Sequence, residues 1–175
     1  MSSALQHDIR RNLQDYGTRT GIRRALLCMT LNSVHAVILI RLQLWLARHG
    51  IPTILVSKLL FWFFKIEVSN KAVIGPGLRL PHPMGIIIAP NTSIGANCDL
   101  YADVRLVLSH GRPTGPRLDD GVFMGDGAKA VGSVHIGTGA VIGVSAVVTR
   151  NIPAHAVAAG IPARVLNAPS PSFVS

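Results

Sequence analysis

The sequence predicts a parallel β-helix preceded by an α-helical segment. Three observations carry this. An aliphatic or small apolar residue returns every sixth position at Ile88, Ile94, Leu100 and Leu106, and again at Leu118, Met124, Ala130, Ile136, Ile142 and Val148. Glycine follows several of these anchors directly, at Gly95, Gly125, Gly137 and Gly143. The first 65 residues lack the pattern and read as helical instead. A period of six is neither the 3.6 of a helix nor the alternation of a lone strand; it suits a coil whose short strands each end in a corner.

Residues 1–65 form the helical segment. From Ile22 to His49 the apolar residues Leu26, Leu27, Leu31, Val34, Val37, Ile38, Leu42 and Trp45 recur at helical spacing, and Gly50 and Pro52 stop the run. A second helix is expected from Thr53 to Lys65. Arg41 and Lys58 interrupt the apolar runs, so neither reaches the ~20 residues of a membrane span. Residues 66–151 form the repeat. Residues 152–175 form a capping segment, with a loose tail over the last ten residues. The helices and the C-terminal segment are the natural covers for the open ends of the coil.

Composition narrows the function classes. The chain is 49% hydrophobic and 14% charged, which excludes a disordered tail. Cys28 and Cys98 stand far apart with no CxxC motif, which fits a reducing cytoplasm. The net charge is +9. Nine Lys or Arg against two Asp give residues 1–65 a charge of +7, leaving +2 for the rest. No nucleic-acid module accompanies the charge. A surface meeting anionic lipid, or an anionic lipid-linked substrate, fits the apolar neighbours better; the alternative is a pair of helices that only caps the coil.

The period breaks twice. Eight residues separate Leu80 from Ile88, and the extra pair falls within Pro81-His82-Pro83-Met84-Gly85. Each proline fixes its own φ and restricts the residue before it, so His82 is held stiffly outside the coil. The second break follows Leu106. Its middle anchor would be Arg112, a poor axis residue, so the Gly- and Pro-rich segment from Val107 to Arg117 reads as an extruded loop.

These loops, with the endings Ala146-Val147-Val148-Thr149-Arg150-Asn151-Ile152-Pro153 and Ala159-Gly160-Ile161-Pro162-Ala163-Arg164-Val165, resemble the hexapeptide-repeat acyltransferases. Within them the chain is similar to the serine acetyltransferase branch, and to its short capsule and exopolysaccharide (colanic-acid type) relatives. Residues 40–46 resemble the helix that precedes the coil in those short relatives. The resemblance implies a left-handed β-helix, a homotrimer with active sites between adjacent prisms, and acetyl-CoA as co-substrate, with no metal.

On the same resemblance His82 is the general base, taking the proton from an acceptor hydroxyl as it attacks the thioester. A neutral imidazole suits that task near pH 7. Glu67 takes the place of the carboxylate that orients the histidine, although an aspartate is usual there. Gly125, Asp126, Gly143 and Val144 match the corners that admit the pantetheine arm. Asp126 and Val144 stand where alanine is usual. Thr149, Arg150 and Arg164 match the nucleotide and phosphate end. The alternatives are a surface histidine, a solvated glutamate and solvated arginines.

Departures shape the acceptor. Pro81 replaces the aspartate that precedes the histidine in serine users, and Thr114 and Gly115 replace their Arg-His pair. Each lost charge-assisted bond removes about 1.5–3 kcal/mol of grip on a zwitterion. His110 and Arg112 are the substitutes in the same loop. The expected acceptor is therefore a sugar hydroxyl of a polysaccharide or its precursor. The rivals are serine O-acetylation, a catalytically inactive structural coil, and a γ-type zinc carbonic anhydrase, for which His82, His110 and His135 lack a convincing close pair. The expected location is the cytoplasm, with peripheral contact at the inner membrane face as a further option.

Overall fold

A computed structural model describes residues 2–14 and 31–167. The start of the predicted first helix at Ile22, Cys28 and the predicted tail from residue 168 onward lie outside the described residues. Among the described residues three helices come first: α1 (Ser2–Asn12), α2 (Asn32–Arg48) and α3 (Ile54–Phe64). No helix among the described residues is long and apolar enough to cross a membrane.

A parallel β-solenoid of about five turns follows. Face 1 stacks β1 (Glu67–Val68), β3 (Ile87–Ile88), β6 (Arg105–Val107), β9 (Lys129–Val131) and β12 (Val147–Val148). Face 2 stacks β2 (Val73–Ile74), β4 (Ser93–Ile94), β7 (Arg117–Leu118) and β10 (His135–Ile136), with Ile152 bridged on top. Face 3 begins at Arg79, bridged to Asp99. It continues through β5 (Asp99–Leu100), β8 (Phe123–Met124), β11 (Val141–Ile142) and β13 (Val157–Ala159). The antiparallel strand β14 (Arg164–Asn167) closes that face.

Register measures both breaks. Ile87 faces Arg105 eighteen residues on, and Lys129 faces Val147 eighteen on, three six-residue sides each. Glu67 faces Ile87 after twenty, so two residues leave the coil at His82. Arg105 faces Lys129 after twenty-four, so six leave it around Arg112. The sequence predicts an end to the coil at residue 151. The pairing of β11 with β13 carries it on to Ala159, because Pro153 falls at an edge and leaves the ladder intact.

All ten anchors are buried along the axis. A second buried row lies two positions before most of them: Ile86, Thr92, Cys98, Val104, Val122, Ala128, Val134, Ala140 and Ala146. Side chains alternate along an extended strand, so an anchor brings its i−2 neighbour inward too. Cys98 belongs to this row. Burial raises its thiol pKa to about 11, which keeps it an inert core residue.

The first turn has no coil beneath it, and the helices supply the missing partners. Asp8 on α1 is fully buried and accepts from the N–H groups of Gly77 (2.7 Å) and Leu78 (3.0 Å). Arg41 on α2 meets the other Asp8 oxygen through Nε at 2.6 Å, and donates to the carbonyls of Ile74 (2.8 Å) and Gly75 (2.5 Å). Asn12 donates to Leu78 O and accepts from Leu80 N, both at 2.9 Å. Gln43 donates to Val68 O at 2.6 Å. Asp8 and Asn12 of α1 therefore face the protein, while Ser3, Gln6 and Arg10 stay exposed. Asp8→Ala would leave the Arg41 guanidinium buried without its counter-charge. It is expected to lower unfolding stability by about 3–5 kcal/mol in urea titrations, and Asp8→Ala/Arg41→Met by less.

Candidate active site

His82 sits on the edge where face 3 turns into face 1, in the first turn. Asn12 fixes Leu80, and the chain then leaves the axis. Met84 N–H donates back to His82 O at 2.8 Å, closing a tight turn. Gly85 N–H donates to Phe64 O below (3.1 Å), while Met84 O accepts from Asp103 N above (2.8 Å). Gly85 has a φ of +70°, and a Cβ there would run into the Asp103 carboxylate, so only glycine fits this return. The exposed His82 ring stands edge-on to Tyr101, with centroids 5.9 Å apart. Its nitrogens have no hydrogen-bond partner among the described residues, which leaves a basic lone pair available. A cavity of about 350 Å3 opens beside it, walled by Leu31, Ser33, Phe63, Phe64 and Met84. Glu67 begins face 1 just below, its N–H bonded to Ile86 O at 2.9 Å. No hydrogen bond or ion pair joins Glu67 to His82 among the described residues.

Gly125, Asp126, Gly143 and Val144 lie farther up the same edge, in the third and fourth turns. A Cβ on Gly125 would sit 2.9 Å from Val144 N, and one on Gly143 would sit 3.0 Å from the Ala159 methyl. At these two corners the coils approach too closely for a side chain, while Val144 beside them is 69% exposed. Asp126 turns its carboxylate toward the coil below, accepting from Ala102 N–H at 3.1 Å. Its backbone carbonyl takes Ser145 N–H at 2.7 Å. The acid at this corner thus has a structural use.

His110 and Arg112 occupy the next edge, between faces 1 and 2. Asn91 donates to Pro113 O at 2.8 Å and Arg112 N–H to Ser109 O at 3.1 Å, holding the loop along that edge. Both predicted side chains are exposed. Arg112 shares a cavity of about 380 Å3 with Thr149 and Arg150. Arg164 lies on β14, at the far end of face 3. One chain therefore brings His82, Gly125, Asp126, Gly143 and Val144 to one edge, and Arg112, Thr149 and Arg150 to another. His135 lies apart on face 2, bonded to Asp119 at 2.7 Å. Burial alone would raise the Asp119 pKa; hydrogen bonds from His135 and Arg117 outweigh it and hold the carboxyl below its ordinary value. No group of three His, Cys, Asp or Glu among the described residues is placed to hold a metal.

The structure adds residues that the sequence reading passes over. A groove of about 790 Å3 runs up face 3, lined by Arg11, Asp99, Tyr101, Phe123, Val141 and Val157 among others. Tyr101 packs against Phe123 with the rings tilted by 51° and centroids 5.0 Å apart, and Arg11 pairs with Asp99 at 3.0 Å. The signal was present: the residue before each anchor points outward, so Phe123 before Met124 marks an outer aromatic.

No family model matches the chain. The serine acetyltransferase of Escherichia coli K12 is 32% identical over 143 residues, covering 79% of this chain and 52% of that protein. That of Synechococcus elongatus is 32% identical over 158 residues, covering 87% and 63%. The chain thus spans about half to two thirds of the length of these relatives. The crystal structure of the Vibrio cholerae serine acetyltransferase superposes with a TM-score of 0.85 at 28% identity, over 97% of this chain and 66% of that one. A serine acetyltransferase in complex with CoA gives 0.82 at 25%, over 93% and 68%. These relatives lend no support to the narrower capsule-type resemblance. With the five-turn coil and the histidine loop in place, the chain is similar in both sequence and fold to the serine acetyltransferases.

Proposed function

We propose that this chain is an acetyl-CoA-dependent O-acetyltransferase and that L-serine is its acceptor. The observation that carries the reading is His82. It is held outside the coil, its ring nitrogens without a hydrogen-bond partner among the described residues, at the foot of the edge that carries Gly125 and Gly143. The relatives named as serine acetyltransferases, and the solved one titled as a CoA complex, support it. They favour serine over the sugar acceptor that the lost loop charges suggest.

In this reading His82 accepts the proton of the serine hydroxyl as the oxygen attacks the thioester carbonyl. The carbon–sulfur bond breaks, and the proton passes from the imidazolium to the departing thiolate. Glu67 orients the ring and balances its charge, a contact that commonly tightens only with substrate bound. Gly125, Asp126, Gly143 and Val144 line the cofactor groove, and Asp126 keeps its charge turned into the coil. Arg112, Thr149, Arg150 and Arg164 serve substrate or phosphate from other parts of the surface, with His110 beside Arg112. Because face 1 separates the two edges within one chain, the working unit is a trimer in which one copy's His82 edge meets a neighbour's second edge.

A second reading keeps the chemistry and changes the acceptor to an uncharged hydroxyl. The observation favouring it is the His82 cavity, whose walls among the described residues carry no Asp, Glu, Lys or Arg. Free CoA release with L-serine as sole acceptor separates the two. Serine-dependent turnover is expected, and His82→Ala is expected to lower it by about 10²–10⁴-fold. Bound acetyl-CoA without serine turnover would select the second reading, and no acetyl-CoA binding would indicate an inactive coil. Asp126→Ala is expected to cost about 0.5–1.5 kcal/mol of stability in denaturant titration, with acetyl-CoA affinity unchanged by calorimetry.

A further inference from the structure

Helix α3 is apolar nearly all the way round, yet only one side of it is covered. Val56, Leu60 and Phe64 are buried, the last two within the core shared with α2 and the first coil. Ile54, Leu55, Trp62 and Phe63 are 64–73% exposed, and Phe61 is 40% exposed. Patches of this kind on a soluble surface mark a partner. Lys58 falls between Leu55 and Trp62 on the same exposed stripe, and Lys65 follows one heptad later, its Nζ 4.9 Å from the Phe61 ring centroid. Neither α2 nor α3 contains an Asp or Glu, and the nearest acid in sequence is Glu67 on β1.

From this geometry we infer that the exposed face of α3 docks on an anionic lipid bilayer surface, lying in the interface without crossing it. Charge decides between the occupants. A second copy of this chain packed on the same face would set Lys58 and Lys65 against their own like charges, with no acid on the helix to meet them. A bilayer bearing phosphate headgroups accepts both parts at once. Leu55 and the aromatic rings enter the acyl boundary, while the lysine stems extend along it and leave their ammonium groups among the headgroups. Trp62 suits that boundary, with an apolar body and one polar N–H. Phe63 also walls the His82 cavity, so docking holds the mouth of that cavity beside the lipid surface.

The test is co-sedimentation of the full chain with phosphatidylcholine vesicles, with and without phosphatidylglycerol. Binding is expected on the anionic vesicles, weakening with salt and on neutral vesicles, with a blue shift of tryptophan emission. Leu55→Ser/Trp62→Ser, at exposed positions that leave the fold intact by circular dichroism, is expected to weaken binding about tenfold or more, and Lys58→Glu also to weaken it. No binding by the full chain, or equal binding by the double variant, would overturn the inference. So would an absence of vesicle binding together with an assembly whose mass falls in the double variant, which would assign the face to a second copy. The readout needs no acetyl transfer, so its failure is distinct from that of the enzymatic reading.

Discussion

The buried pair of Asp8 and Arg41 settles how the solenoid begins. Each later turn finds its hydrogen-bond partners on the turn beneath; the first has none. Unsatisfied backbone groups at such an end would be open to other strands. Asp8, Arg41, Asn12 and Gln43 answer them one at a time, from two helices that are distant in sequence. Fixing Ile74 to Leu80 also fixes the point from which the His82 loop departs. The capping helices and the candidate base are therefore mechanically connected.

The coil itself is rigid and repetitive, and chemistry enters where it is interrupted. Two extra residues place a histidine at one edge, and six place an arginine loop at the next. The stacked turns set the height of each and the edge sets its direction. The same stacking leaves no space for a Cβ at Gly125 or Gly143.

The coil was legible because six-residue spacing leaves few other folds to consider. Both loops were legible because Leu80 to Ile88 and Arg112 violate that spacing in a countable way. Three things were not. The i−2 row was hidden behind small residues such as Ala128 and Ala140, which carry little pattern. The role of α1 was hidden because Asp8 and Asn12 look like surface residues until the partners contributed by Gly77 and Leu80 are brought to them. Asp126 looked like a hindrance to an anionic ligand, and only the coil below shows where its carboxylate points. The acceptor stayed divided between readings because recognition residues sit on loops, which carry no periodic constraint.

The six-residue insertion around Arg112 has one more consequence. It equals one side of the prism, so the strands on either side of it keep their inward and outward alternation. Those six residues leave the coil, so Leu118 takes the face that directly follows that of Leu106. Loops of other lengths can leave at the same edge, as the two-residue excursion at His82 does at its own, provided that Arg105 and Arg117 return to their places. Such a scaffold lets selectivity drift while the core is preserved. Relatives with superposable coils can therefore diverge in what they acetylate, without any change in the residues that make them fold.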